Sequence, residues 1–268
     1  MNASSGADAG LSRSRDRLAG RTALVTGGGS GLGTVIALTL ADLGARVVIT
    51  GRDTQALEET AASRPGQIRA AARCDVSNPA DVRALTRTLA AEQVDILVNN
   101  AGIPGPVAPL TEIHPADWDE VFAVNVRGVY LMCQAFAPAM TARGNGDIVN
   151  IASVSGKRPL AGRTPYCASK AAVLGLTAAL AAEVGPQGVR VNSVSPGPVD
   201  SGRMRRNFRL EAERTGTSVE DAERAFVSRA LLQRMVTEQE VADAVAAVIG
   251  LGGLCAADID LSAGMVAR

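Results

Sequence analysis

Tyr166 and Lys170 stand four residues apart in Pro165-Tyr166-Cys167-Ala168-Ser169-Lys170. Residues at i and i+4 share a helix face, so this spacing brings a phenol and an ammonium to one spot. A free tyrosine has a pKa of about 10, too high for proton exchange near neutrality. A neighbouring cation stabilises the phenolate and lowers that value, so Tyr166 reads as a general acid/base tuned by Lys170. The pair alone is a common coincidence. Two further features give it weight: Ser153 closes the apolar run Ile148-Val149-Asn150-Ile151-Ala152, and a glycine-rich turn, Thr26-Gly27-Gly28-Gly29-Ser30-Gly31-Leu32-Gly33, opens the body of the chain.

The elements that must hold these residues follow from the hydrophobic pattern. The glycine turn lies between the apolar Ala23-Leu24-Val25 and the helical Val35-Ile36-Ala37-Leu38. Strand, glycine turn and helix together make a dinucleotide site, because glycine lets the backbone approach a diphosphate and the helix N-terminus offers free N–H groups. The plainer reading is a tight connection without a ligand. Strands are expected at 23–25, 47–50, 68–74, 96–99, 148–151, 189–194 and 259–261, and helices at 31–43, 54–62, 79–91, 115–142, 168–184 and 238–249. This alternation predicts an α/β fold, a single-domain, Rossmann-type, doubly wound, seven-stranded parallel sheet with helices on both faces. Residues 198–235 interrupt the rhythm with a polar helical insertion beyond the sixth strand, where such sheets bind ligands.

Taken together, Thr26-Gly-x-x-x-Gly31-x-Gly33, Asn99-Asn100-Ala101-Gly102, Asn125, Ser153, Tyr166-x-x-x-Lys170 and Pro196-Gly197 resemble the short-chain dehydrogenase/reductase family in order and spacing. The resemblance runs from about Leu18 to the C-terminus and includes its 3-oxoacyl-thioester reductases. It implies a catalytic tetrad of Asn125, Ser153, Tyr166 and Lys170. Ser153 would polarise a carbonyl oxygen, Tyr166 would exchange its proton, and Asn125 would fix a relay water near Lys170. Each has a plainer role alone: Ser153 in a turn, Asn125 on a helix backbone, Lys170 on a solvated face. The resemblance also implies cofactor contacts from Gly27, Gly29, Ser30, Gly31, Leu32 and Gly33. Further contacts are implied for Asp75 and Val76, for Asn100, Ala101 and Gly102, for Tyr166 and Lys170, and for Pro196, Gly197, Val199 and Ser201. Asp75 reads equally as a cap for the helix at Pro79.

The second strand ends in Gly51-Arg52-Asp53. A carboxylate here would bind the ribose hydroxyls of NAD, whereas an arginine grips the extra phosphate of NADP. The family's acid falls on Gly51 and Arg52 follows it, so NADP(H) is favoured over NAD(H). Asp53 reads as a cap for the next helix, and Ser30 is neutral where many NADP-preferring relatives carry a base.

The chain has 268 residues, 47% hydrophobic, with 27 basic and 27 acidic side chains. That size and apolar content support one large core. Balanced charge gives no field for nucleic acid or a membrane surface. Apolar stretches such as 171–182 fall short of the roughly 20 residues of a membrane span. Residues 1–17, rich in Ser, Ala, Gly and Arg, lack a hydrophobic segment and read as a disordered tail on a cytoplasmic protein. Cys74, Cys133, Cys167 and Cys255 show no paired spacing and read as free thiols. Cys167 reads as a small filler and His114 as a surface residue; no metal cluster is evident.

Arg203, Arg205, Arg206, Arg209 and Arg214 make the insertion, read as a substrate lid, arginine-rich. They suit either an acidic handle, such as a carrier- or coenzyme A-bound thioester, or a solvated helix balanced by neighbouring acids. The C-terminal Asp258-Ile259-Asp260-Leu261 departs from the Val-Asp-Gly-Gly of many relatives, which bears on subunit contacts; the resemblance implies a homotetramer or homodimer. Three functions stay open: a ketoreductase or the same enzyme as an alcohol dehydrogenase, a redox-neutral epimerase or dehydratase, and a non-catalytic cofactor sensor.

Overall fold

The computed structural model describes residues 16–266. Asp16 and Arg17, the last residues of the expected tail, belong to a turn that delivers Leu18 into the core, where its N–H donates to Leu43 O at 2.8 Å. Residues 1–15 lie outside the described residues.

Seven strands make one parallel sheet: β1 Thr22–Thr26, β2 Arg46–Thr50, β3 Ile68–Ala70, β4 Ile96–Asn99, β5 Gly146–Ile151, β6 Val189–Pro196 and, at the far edge, β9 Asp258–Leu261. Their order is β3-β2-β1-β4-β5-β6-β9. The chain winds outward from β1 to β3, then returns to β4 and winds the other way, so the crevice lies beyond β1 and β4. Successive side chains explain why both faces need helices. Ala23 and Val25 of β1 and Ile96 and Val98 of β4 enter one core cluster, whereas Leu24 and Leu97 between them enter the other.

The first cluster is closed by α1 Gly31–Asp42, α2 Thr54–Ala62 and α9 Glu238–Gly250, through Ile36, Leu40, Leu57, Val241 and Val245. The second is closed by α3 Pro79–Thr88, α5 Gly128–Arg143 and α6 Thr164–Val184, through Val82, Leu85, Met132, Met140 and Val173. The expected helix over 115–142 is divided. α4 Pro115–Phe122 passes into a π-helical turn at Ala123–Arg127 before α5 begins. Such turns insert one residue and free a carbonyl from the α-helical ladder.

Two other boundaries move. The strand expected at 68–74 stops at Ala70, because Ala72 and Arg73 are consecutive exposed residues and break the alternation. Helix α6 starts at Thr164 rather than 168, tolerating Pro165 in its first turn, where a missing N–H costs nothing. Tyr166 and Lys170 therefore sit on one continuous helix. Although long and apolar enough to cross a membrane, α6 here carries buried Ser169, Lys170 and Thr177 against the sheet.

The insertion forms α7 Gly202–Thr215 and α8 Val219–Val227, joined where Phe208 meets Phe226 edge-on at 5.8 Å between centroids. Its ends are pinned by a two-residue pairing of β7 Val199–Asp200 with β8 Val236–Thr237, which sequence patterning missed. A capping box at Thr237 and Glu240 then restarts the helical layer at α9.

Candidate active site

A cavity of about 1240 Å³ follows the carboxyl ends of the strands. The glycine turn forms its floor at one end. Gly27 adopts φ +67°, a left-handed conformation open to glycine without strain, and donates to Thr50 O at 2.7 Å. A Cβ at Gly33 would collide with the Gly27 carbonyl oxygen and lie 2.6 Å from Asn100 Nδ2. Turn and helix thus close only because no side chain stands there. Ser30 occupies the cap position of α1 without making a side-chain cap bond, and the first turn holds no acid. The N-terminus of α1 opens onto the cavity with no side chain of the cap across it, and these residues fit a dinucleotide diphosphate. Gly29, Gly31 and Leu32 also line the cavity.

Thr26 ties this turn to the end of β4. Its Oγ1 accepts from the N–H groups of Asn100 and Ala101, each at 3.0 Å, and Asn100 Nδ2 donates to Thr26 O at 3.0 Å. Asn100, Ala101 and Gly102 then form the cavity wall. Deeper in the sheet, Asn99 Nδ2 donates to Asn150 Oδ1 at 2.8 Å, and Asn150 Nδ2 to Thr177 Oγ1 at 2.9 Å. This buried ladder locks β4 and β5 to α6.

Beyond β2, Asp53 Oδ1 accepts from Ala56 N at 3.1 Å and so caps α2, as expected. Arg52 is exposed at the cavity wall. Asp75 does not cap α3; Asn78 does, accepting from Ala80 N at 2.9 Å. Asp75 instead accepts from Ser77 N and Oγ at 2.9 and 2.7 Å. Burial raises its pKa, but the Ser77 bonds, with Arg52 and Arg73, hold the carboxyl below its ordinary range. Asp75 and Val76 line the cavity beside Arg52. At the opposite wall, Gly197 N donates to Leu261 O at 2.8 Å, and Pro196, Gly197, Val199 and Ser201 face the cavity. Ser201 Oγ is engaged locally, donating to Val199 O and accepting from Met204 N at the start of α7.

The expected catalytic side chains meet midway. Ser153 is extended, and its Oγ accepts from Ser155 N at 3.1 Å, which leaves the hydroxyl proton to donate elsewhere. The turn after it is anchored by Lys157, which pairs with Asp258 and Asp260 of β9. Lys170 is buried, donates from Nζ to Ile151 O at 2.7 Å, and lies 5.8 Å from the Tyr166 ring centroid. Asn125 alone of the four does not line the cavity. Its Oδ1 accepts from Ile103 N at 2.8 Å; its Nδ2 donates to Ile103 O at 3.0 Å and Ser169 Oγ at 3.1 Å. Both amide hydrogens are therefore spent. A Cβ added at Gly102 would lie 3.2 Å from that Oδ1 and 3.7 Å from Lys170 Nζ, so both atoms approach the Gly102 backbone on the same side.

Arg163, which sequence reasoning passed over, lies 5.5 Å from the Tyr166 ring centroid. No local spacing marks it; the turn into α6 puts it there. Cys133, buried beneath Asn99, has its thiol pushed up to about 12 by burial and is inert as a nucleophile. Cys167 is buried beside Tyr166, its Sγ turned toward Leu160 O. No His, Cys, Asp and Glu side chains cluster in a metal-binding group among the described residues.

Residues 21–213 match the model of a family described as short chain dehydrogenase. A D-threitol dehydrogenase of Mycolicibacterium smegmatis is 44% identical over 185 residues, spanning 67% of this chain and 70% of that protein. Among solved structures, NAD+-bound xylitol dehydrogenase superposes with a TM-score of 0.88 at 26% identity, covering 92% of this chain and 99% of the other. A variant of actinorhodin polyketide ketoreductase with NADPH gives a TM-score of 0.86 at 33% identity, covering 91% and 97%.

Proposed function

From the membership of this chain in the short-chain dehydrogenase/reductase family, a family of oxidoreductases, we propose that it is an NADP(H)-dependent enzyme acting on a ketone and its secondary alcohol, in the reductive direction a ketoreductase. The observation that carries the reading is the convergence of Ser153, Tyr166 and Lys170 on one wall of the cavity whose floor is the uncapped glycine turn. The first turn of α1 would hold the diphosphate, and Pro196, Gly197 and Val199 the carboxamide end. When bound, the nicotinamide supplies or accepts the hydride.

The chain's own residues manage the oxygen and its proton. With its acceptor side occupied by Ser155 N–H, Ser153 Oγ aims its proton at the substrate oxygen and steadies the charge that gathers there. Tyr166 Oη passes its proton to that oxygen in reduction and takes it back in oxidation. The ammonium of Lys170, held by Ile151 O, stabilises the phenolate. A water donating to Asn125 Oδ1 and accepting from Lys170 Nζ would return protons to the pair. The insertion 198–235 covers the substrate end as a lid; its Arg205 and Arg214 are already paired with Asp200 and Glu211, which favours a solvated helix over a thioester handle.

Arg52 underlies the choice of NADP(H). With Asp53 committed to α2, the cation stands without a competing carboxylate on its own turn. Changing Arg52 to Glu is expected to lower kcat/KM for NADPH by about 10- to 100-fold, the worth of lost charge-assisted hydrogen bonds, and to leave NADH within a few-fold. Initial rates with both cofactors read this directly. The names of the threitol and xylitol dehydrogenases favour a second reading, NAD-dependent polyol oxidation; a wild-type preference for NADH in the same assay would select it.

Ala171, Gly175, Ala178 and Ala182 form one exposed stripe of small residues along α6. That stripe suits close packing against a second copy, and we assign the protein a homotetrameric or homodimeric state, to be read by light scattering as twice or four times the 27.4 kDa chain. The free thiols of its four cysteines accord with a cytoplasmic setting.

A further inference from the structure

The cavity beyond Tyr166 carries charge that the chemistry above leaves unused. Arg158, Arg163 and Arg229 all line it, and none belongs to α7, the helix that the sequence marks as arginine-rich. A series of contacts connects them. Arg163 packs on Tyr166 and donates from Nη1 to Asn207 Oδ1 at 3.3 Å. The next residue, Phe208, meets Phe226, and the Arg229 guanidinium lies 5.7 Å from the Phe226 centroid. Arg158 closes the series, donating from Nη1 to Arg229 O at 3.3 Å and to Met265 O.

Arg163 is thus tied to the lid and to the catalytic ring. Arg158 and Arg229 differ: among the described residues neither forms an ion pair. Acids on the same wall are engaged elsewhere, Glu211 with Arg214 and Asp221 with Arg224. Burial, and then the charge of Arg158, lower the pKa of Arg229. The Arg158 guanidinium lies against the main chain of Arg229, and an anion received between the two side chains would offset their like charge and form charge-assisted hydrogen bonds. Leu160, Phe208 and Met265 add apolar side chains to this lining.

We propose that Arg158 and Arg229 bind an anionic group, a carboxylate or a phosphate, on the substrate whose carbonyl or hydroxyl reacts at Ser153 and Tyr166. The reacting end of this assignment rests on the oxidoreductase reading; the anion site does not. The substrate class is therefore an oxo or hydroxy acid, or a sugar phosphate, rather than a neutral polyol or ketone.

Matched probes test it: levulinate against methyl levulinate for a carboxylate, and dihydroxyacetone phosphate against dihydroxyacetone for a phosphate. Affinity for each is measured by calorimetry on the full chain with NADPH present, alongside turnover. One anionic probe is expected to bind at least tenfold more tightly than its neutral partner, and the pair in which this occurs identifies carboxylate or phosphate. In Arg158→Gln and Arg229→Gln that ratio is expected to fall about tenfold, with Arg229→Lys retaining part of it. Thermal melts establish that each variant is folded, and the ratio within one variant cancels any general loss of binding. Equal affinity for both members of both pairs overturns the proposal, as does a ratio unmoved by the arginine variants, whether or not the neutral probes are reduced. Anion-selective binding without turnover of any carbonyl would instead count against the oxidoreductase reading and leave the anion site standing.

Discussion

Tyr166→Phe is expected to lower kcat by about 10³-fold with any carbonyl substrate, within the range of positioned general acid/base catalysis. The substitution removes one oxygen and leaves the ring. The packing of Arg163 on that ring at 5.5 Å and the placement of Lys170 at 5.8 Å involve carbon atoms that phenylalanine retains. Tyr166 is only half-buried, so the lost hydroxyl leaves no orphaned core partner, and a melting temperature close to wild type is the expected control. Binding of NADPH, followed by fluorescence, should change by no more than a few-fold, because the glycine turn and Arg52 are untouched. A kcat within tenfold of wild type would remove Tyr166 from proton transfer and leave Ser153 with solvent as the source. Loss of NADPH binding together with kcat would show that the hydroxyl serves the cofactor rather than the substrate oxygen.

Much of the arrangement was legible in the chain because the relevant signals are local. Parallel strands covered on both faces are continuous apolar runs, and β1, β4 and β5 announce themselves that way. The glycine turn and the four-residue step from Tyr166 to Lys170 are fixed by backbone geometry within one or two elements. Asp53 and Asn78 carry cap signals three and two residues before the amides they accept from. What escaped notice depends on distant partners. The π-helical turn at Asn125 accompanies a side chain clamped to Ile103, 22 residues away. The pairing of β7 with β8 is only two residues long and joins segments on either side of the insertion, too short for any periodicity. Arg158 and Arg229 stand 71 residues apart and look like ordinary surface arginines until the fold sets them together. Asp75 was ambiguous because a carboxylate near a helix start can cap or can bond its own turn; the hydroxyl of Ser77 decided it.

Gly33→Ala bears on the other half of the site, and its expected effect is comparable in size. The glycine is there for space rather than for φ. A methyl at this position would meet the Gly27 carbonyl oxygen head-on and crowd Asn100 Nδ2, which itself donates to Thr26 O at 3.0 Å. Neither neighbour can yield cheaply. Gly27 is backbone in a left-handed conformation that pins the turn to Thr50, and Asn100 fastens β4 to β1. Relief must come from moving α1 away from the turn, which opens the N–H cradle and loosens Ile36 and Leu40 in the core. Overpacking of this kind costs about 1–3 kcal/mol, enough to lower the melting temperature of a domain this size by several degrees. The cradle loses more, since backbone N–H groups must converge on a diphosphate within tenths of an ångström. NADPH affinity is expected to fall at least 100-fold, while Ser201→Ala, at the opposite wall, costs no more than a cap bond of about 1 kcal/mol. If Gly33→Ala binds NADPH within threefold of wild type at an unchanged melting temperature, the turn does not carry the diphosphate, and the cofactor half of the cavity must be assigned anew.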